Sequence, residues 1–329
     1  MRAPLFWQNK NSFYETLLSP FSLIYRFITL QREHFTTPTK VSIPVICIGN
    51  ITLGGTGKTP LVIMLAQALK EQAFKPHILS RGYRGKLKGP LLVDVARHTA
   101  KEVGDEPLLL AQVAPTWIAK DKVQGARAAI KAGAEVLLLD DGLQNPNLHK
   151  DCSIIVVNGD YGLGNERVFP AGPLRESIKS AFKKSKIIVV MGQDKYDLKN
   201  KWKGICSTFQ GELQADTDDI QVLKNKPLYA FAGIGYPEKF FNMLYNKGLH
   251  IVGQKAFPDH HTFTTKDLDE LRLQADQFKA QLVTTAKDLV RLPFKAQKEI
   301  KTIRVHAEIN QKNTLLNFIL KVIDNAKKN

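Results

Sequence analysis

The residues that most constrain this chain are Thr52-Leu53-Gly54-Gly55-Thr56-Gly57-Lys58-Thr59, set between an apolar run, Pro44 to Ile48, and a helix-forming stretch, Leu61 to Gln72. A strand, a glycine-rich turn and a helix in that order make a phosphate cradle. Successive backbone N–H groups turn toward phosphate oxygens, and the helix N-terminus adds its dipole. Gly54, Gly55 and Gly57 are expected to supply positive φ. Lys58 is expected to reach the β- and γ-phosphates, and the Thr59 hydroxyl to ligate Mg²⁺. Pro60 falls in the first helical turn, where its missing N–H leaves nothing unpaired. The run departs from G-x-x-x-x-G-K-[ST] at its first position, where Thr52 stands.

Such a loop needs a carboxylate beyond the end of a buried strand to organise the metal, and Val136-Leu137-Leu138-Leu139-Asp140-Asp141-Gly142 supplies two. Adjacent carboxylates at an apolar strand's end are costly to bury without a cation. Neighbouring strand residues point to opposite faces, so one of the pair is expected on Mg²⁺ and the other on water or loop, in either order. Gly104-Asp105-Glu106-Pro107 fits either a helix N-terminus or a base for an acceptor hydroxyl. Ser80-Arg81-Gly82-Tyr83-Arg84-Gly85 follows a strand and puts guanidinium groups at the ligand-binding edge of a sheet. Phe257-Pro258-Asp259-His260-His261-Thr262-Phe263 reads as a His–Asp pair or as a helix cap. Thr284-Thr285-Ala286-Lys287-Asp288, again after a strand, is a further candidate phosphate or nucleotide contact.

From Ser42 onward short aliphatic runs alternate with helical stretches, the pattern of a mostly parallel sheet with covering helices. Gly192 to Val222 is polar and weakly patterned and reads as a boundary, after which the alternation resumes. The expected fold class is therefore α/β: a P-loop NTPase-type domain over residues 36–222, a smaller α/β domain over 223–329 and an N-terminal helix within 1–35. In that helix Phe6, Trp7, Phe13, Leu17, Phe21, Ile24, Phe27 and Leu30 crowd around Arg2, Lys10, Arg26 and Arg32. The mixture suits an interfacial helix, or one packed on the body through its apolar face.

Composition narrows the partners. With 47 Lys plus Arg against 31 Asp plus Glu, the net charge of +16 favours anions: nucleic acid, an acidic membrane or a phosphorylated substrate. Three scattered cysteines without a CxxC pair argue against a zinc site or a disulfide framework and for a reducing cytoplasm. No run reaches the roughly 18 to 20 apolar residues of a membrane span, and no secretory leader is expected.

Taken in order, these segments resemble the tetraacyldisaccharide 4'-kinase family. The motifs are Gly49-Asn50 with Gly54 to Pro60, Ser80-Arg81-Gly82-Tyr83, Gly104-Asp105-Glu106-Pro107, Asp140-Asp141-Gly142-Leu143-Gln144, Pro170 to Glu176, Ala232-Gly233-Ile234-Gly235, Asp259-His260-His261 and Thr284 to Asp288. The resemblance implies ATP- and Mg²⁺-dependent phosphorylation of the 4'-hydroxyl of an acylated glucosamine disaccharide 1-phosphate, a lipid A precursor. The work would be done by a monomer at the cytoplasmic face of the bacterial inner membrane, with no nucleic acid partner. It makes the N-terminal helix membrane-associated and gives the net charge two targets, anionic lipid and the substrate's phosphate. By the same resemblance Asp105 is the base, assisted by a histidine of the Asp259-His260-His261 motif, with His261 favoured. Residues 52–59, Lys58 foremost, hold ATP; Thr59, Asp140 and Asp141 serve Mg²⁺; Arg81, Tyr83, Gln144 and His260 meet the substrate. Asn145 and Lys122 stand where the family carries His and Arg. The rivals are a nucleotide-switch ATPase or GTPase, which predicts turnover without an acceptor, and a nucleic-acid-binding ATPase, which predicts aromatic residues on a strand face.

Overall fold

Runs such as Val45–Gly49 and Ile187–Met191 carry no charged residue and are buried along their whole length, as strands of a sheet covered on both faces must be. The computed structural model describes residues 4–328, so Arg2 lies outside the described residues. Within them the strands are β1 (Val45–Gly49), β2 (Pro76–Ser80), β3 (Leu91–Leu92), β4 (Thr116–Ile118), β5 (Val136–Asp140), β6 (Cys152–Asn158), β7 (Ile187–Met191) and β8 (Ser207–Ala215). There follow β9 (Leu228–Ala232), β10 (Ile251–Ala256), β11 (Gln281–Thr285), β12 (Lys301–Ile303) and β13 (Val305–Ile309). They form two sheets, ordered β13-β8-β7-β6-β1-β5-β2-β4-β3 and β10-β9-β11-β12. Neighbours run parallel except at the two edges of the larger sheet, where β3 and β13 are antiparallel to β4 and β8.

Helices Lys58–Glu71 and Lys312–Lys328 cover one face of the larger sheet, where Ile46, Ile48, Leu65 and Leu69 meet Leu315, Ile319 and Ile323. Helices Lys122–Lys131 and Ile178–Lys184 cover the other, around Cys47, Leu137 and Leu139. With both faces sealed, polar side chains must gather at the strand ends. β1 lies between β5 and β6, in a register that pairs Ile48 with Asp140. The loop after β1 and the carboxylates after β5 therefore start side by side.

Two expected boundaries are corrected. Gly192 to Val222, read as a boundary, contains β8, which buries Phe209, Gly211 and Ala215 while turning polar neighbours outward. Residues 305–328, expected in the smaller domain, return to the larger sheet. The reason is an apolar stripe, Leu315, Ile319 and Ile323, spaced one helical turn apart. It needs an apolar face, and β13 pairing with β8 delivers it to one.

The N-terminal helix, Phe13–His34, inverts the usual arrangement: its buried residues are Glu15 and Ser22, while Phe13, Leu17, Phe21, Ile24, Phe27 and Ile28 are exposed. Polar contacts attach it. Arg167 Nε donates to Glu15 Oε1 at 2.6 Å, and Ser22 Oγ donates to the Val168 carbonyl at 2.8 Å while accepting from Ala171 N at 3.0 Å. The alternative of packing through its apolar face is not what is found. No helix among the described residues is long and apolar enough to cross a membrane.

Ile319→Ala should cost about 2–5 kcal/mol through the cavity it leaves, read as a lower urea midpoint. Phe21→Ser, on the outward face, should stay within about 0.5 kcal/mol.

Candidate active site

The loop after β1 is held by one buried side chain of its own and by a neighbouring loop. Gly54 (φ 112°) and Gly57 (φ 86°) take positive φ; Gly55, expected to do so, does not. Asn50, fully buried, donates through Nδ2 to the Thr52 carbonyl at 2.7 Å. Leu53 N donates to the Pro173 carbonyl at 2.8 Å, and Thr52 forms a bridge with Leu174. Pairing with a neighbouring loop thus replaces the flexibility of the missing first glycine. No side chain caps the helix that starts at Lys58, so its first N–H groups remain directed into the loop. Gly49 is required by contact: a Cβ there would lie 2.6 Å from Leu143 Cβ.

The two carboxylates after β5 have different surroundings. Asp140, 1% exposed, receives Ser80 Oγ at 3.0 Å on Oδ2, while its Oδ1 is buried with no hydrogen-bond partner. Burial, with the negative charges of Glu106 and Asp141, pushes its carboxyl up to about 7. Asp141 turns away at φ 54° and meets Arg175 Nη1 at 3.0 Å and Lys58 Nζ at 3.7 Å. Burial would raise it too, but the Lys58 and Arg175 charges outweigh that and hold it below its ordinary value. The sequence left the pair undivided; the structure separates a carboxylate lacking a cation from one that already has two.

Across from them, helix Asp105–Ala111 opens on a buried carboxylate. Its partner is His260, not the favoured His261. His260 Nδ1 lies 3.0 Å from Asp105 Oδ2. His261 stacks on Phe257 (centroids 4.8 Å apart), and its Nε2 is 3.0 Å from Asp267. The turn is the cause: His260 takes φ 59°, which sends successive rings in opposite directions. Arg291 also reaches Asp105 Oδ2, with Nε at 3.1 Å and Nη2 at 2.6 Å. Burial would raise the Asp105 carboxyl, but the His260 hydrogen bond and the Arg291 and Lys287 charges hold it well below the usual carboxylate range.

The remaining expected residues divide. Arg81 and Tyr83 are exposed, and the Tyr83 ring lies edge-on to His260 at 6.4 Å, so that loop borders the Asp105 side. Gln144, expected on substrate, is bound into the frame: its Nε2 donates to the Asn50 carbonyl and to Glu176 Oε1, each at 3.0 Å. The Thr284 to Asp288 motif, a candidate phosphate contact, is engaged both within the smaller sheet and across to the helix that carries Asp105. Thr284 donates to the Phe231 carbonyl and Lys287 to Glu106 at 2.8 Å. Arg175 and Arg291 carry roles that sequence reasoning missed. Arg175 lay inside a quoted motif; Arg291 follows Asp288 at a helical spacing of three. Lys122 is 4% exposed with its Nζ unpaired, and burial, only partly offset by the Asp140 charge, pushes it down to about 8.

A glycine loop running from a buried parallel strand into an uncapped helix N-terminus, with two carboxylates at the end of the neighbouring strand, defines the P-loop phosphotransferases, and among them the kinases. The family model described as Tetraacyldisaccharide-1-P 4'-kinase matches residues 14–324, and the chain belongs to that family. It is 47% identical over 306 residues to the tetraacyldisaccharide 4'-kinase of Gluconobacter oxydans, covering 92% of this chain and 93% of that one. To the enzyme of that name from Rhodospirillum centenum it is 44% identical over 319 residues, covering 96% and 95%. A crystal structure described as the "apo" form of LpxK from Aquifex aeolicus in complex with ATP matches with a TM-score of 0.76 at 28% identity, covering 94% of this chain and 99% of that one.

A carboxyl raised by burial takes up a proton on folding. Its contribution to stability is complete below the unfolded value near 4 and is lost as pH rises through 7. Asp140→Asn should therefore raise Tm above that window, by about 2–4 °C for each kcal/mol relieved. The gain should vanish below pH 4, as read by thermal melts across pH.

Proposed function

We propose that the chain transfers the γ-phosphate of ATP to the 4'-hydroxyl of the tetraacyl glucosamine disaccharide 1-phosphate precursor of lipid A. One observation carries this reading: the family match over residues 14–324, which takes in both the loop at 52–59 and the Asp105–His260 pair.

Mg²⁺ fits the chemistry of the residues present, since Asp140 has a buried oxygen without a partner and Thr59, also buried, offers a hydroxyl at the start of the helix after the loop, both oxygen donors of the kind a hard cation takes. Asp140 and Thr59 would hold it with phosphate oxygens, and when bound it would neutralise charge on the transferring group. Asp141 instead keeps Lys58 and Arg175 in place. Lys58 meets the β- and γ-phosphates from the loop. Asp105 accepts the hydrogen bond of the sugar hydroxyl and aims its oxygen at phosphorus. His260 fixes the carboxylate and shares the proton as the new bond forms. A carboxylate of low basicity suits this task, because a loose phosphoryl-transfer transition state asks more for positioning than for proton abstraction. The exposed apolar helix Phe13–His34 and the net charge of +16 support a seat on the anionic cytoplasmic face of the inner membrane, where the acyl chains stay in lipid.

With radiolabelled ATP and the acyl-disaccharide 1-phosphate in mixed micelles, label should enter the lipid. Lys58→Ala and Asp105→Ala should each lower kcat by about 10² or more. ATP turnover without labelled lipid would favour the nucleotide-switch reading, and near-normal kcat in Asp105→Ala would sink the base.

A further inference from the structure

Arg291 is placed with unusual care for a residue at a helix end. It follows helix Ala286–Leu289 on the smaller sheet, and its side chain is 6% exposed. Nε and Nη2 both donate to Asp105 Oδ2, while Nη1 donates to the Gly233 carbonyl at 2.7 Å and to Asp288 Oδ1 at 3.0 Å. Asp288 is wholly buried and accepts from Gly233 N and from the Thr285 hydroxyl. The guanidinium is thus anchored by the end of β9 and by its own helix, with its remaining donors aimed at the larger sheet.

The consequence is an asymmetry within one carboxylate. Asp105 Oδ2 takes two bonds from Arg291 and faces His260; Oδ1 accepts a single backbone bond, from Glu106 N at 3.0 Å. One oxygen is saturated and the other keeps a lone pair. Docking of the sheets alone does not require this, since Lys287 and Glu106 already bridge the same two elements and Lys239 pairs with Asp160 elsewhere. A buried ion pair is moreover a poor source of net stability.

We propose that Arg291 is a positioning residue for the transfer reaction: it clamps Asp105 Oδ2 so that Oδ1 faces the acceptor hydroxyl, and it aligns that carboxylate only while the two sheets are docked. The inference rests on the reading of Asp105 as the base. The charged and titratable groups facing that carboxylate are Arg291, His260 and Lys287, with Glu106 and Asp288 beside them. Removing the guanidinium leaves Asp105 buried with fewer donors, so its carboxyl must rise.

The test is steady-state transfer by the full chain in mixed micelles for wild type, Arg291→Gln, Arg291→Lys, Asp105→Asn and the Arg291→Gln/Asp105→Asn double variant. Arg291→Gln should lower kcat by about 10²-fold while leaving KM for ATP and for the acyl-disaccharide within about twofold. Arg291→Lys keeps the charge but not the fork, so it should restore only part of kcat, again at unchanged KM. The double variant should be no slower than Asp105→Asn alone, because the two residues act as a unit. A near-wild-type kcat in Arg291→Gln, a loss carried by KM rather than kcat, or a multiplicative loss in the double variant overturns the proposal. If Arg291→Gln does not fold, Arg291→Lys decides: wild-type kcat there overturns it. Near-normal kcat in Asp105→Asn would sink the base reading itself, whereas an inactive Asp105→Asn beside wild-type Arg291 variants removes only this proposal.

Discussion

A parallel sheet sealed on both faces has no room for charge except at the ends of its strands. Here β1 and β5 are buried along their whole length, and the first charged groups beyond their apolar cores are Lys58 and the pair Asp140 and Asp141. Exclusion of water from the sheet thus concentrates the phosphate loop and the carboxylates at one edge. The frame around them is a chain of close contacts: Gly49 against Leu143, Asn50 inside the loop, Gln144 between Asn50 and Glu176, Arg175 between Asp141 and Gln144. Lys184 extends it to Glu176 and to Glu33 of the N-terminal helix, joining that exposed apolar element to the loop after β1.

The second half of the site comes from apposing two sheets. Asp105 belongs to the larger sheet's layer, whereas His260 and Arg291 belong to the smaller one. Burying a carboxylate there is tolerable only because two cationic or hydrogen-bonding side chains arrive from the other side. This makes the smaller sheet part of the candidate site. The motif Thr284 to Asp288, which resembles a phosphate loop in its position after a strand, supplies that connection through Lys287, which pairs with Glu106, and through Asp288, which holds Arg291.

The N-terminal helix shows the same logic reversed. Its polar residues are inside and its aromatic residues outside, an arrangement that water alone disfavours and an apolar surface would relieve.

What the sequence by itself determined is local. A strand, a glycine turn and a helix leave few ways to place Lys58 and Thr59, and a run of aliphatic residues ending in Asp140 can only be a covered strand with its charge at the tip. The α/β class and the family resemblance follow from such runs. Long-range decisions were not legible. His260 and His261 are neighbours of equal chemistry, and only a positive φ, imposed by the contact of this turn with Gly233, decides which faces Asp105. The return of residues 305–328 to the larger sheet depends on β8, whose polar sequence hides an alternating strand until Ile309 and Leu315 pack beside it. Arg291 carried no motif of its own. Periodicity and turn chemistry act over a few residues, whereas the partner of a buried charge is chosen by whatever the folded chain brings within 3 Å of it, and that only tertiary structure decides.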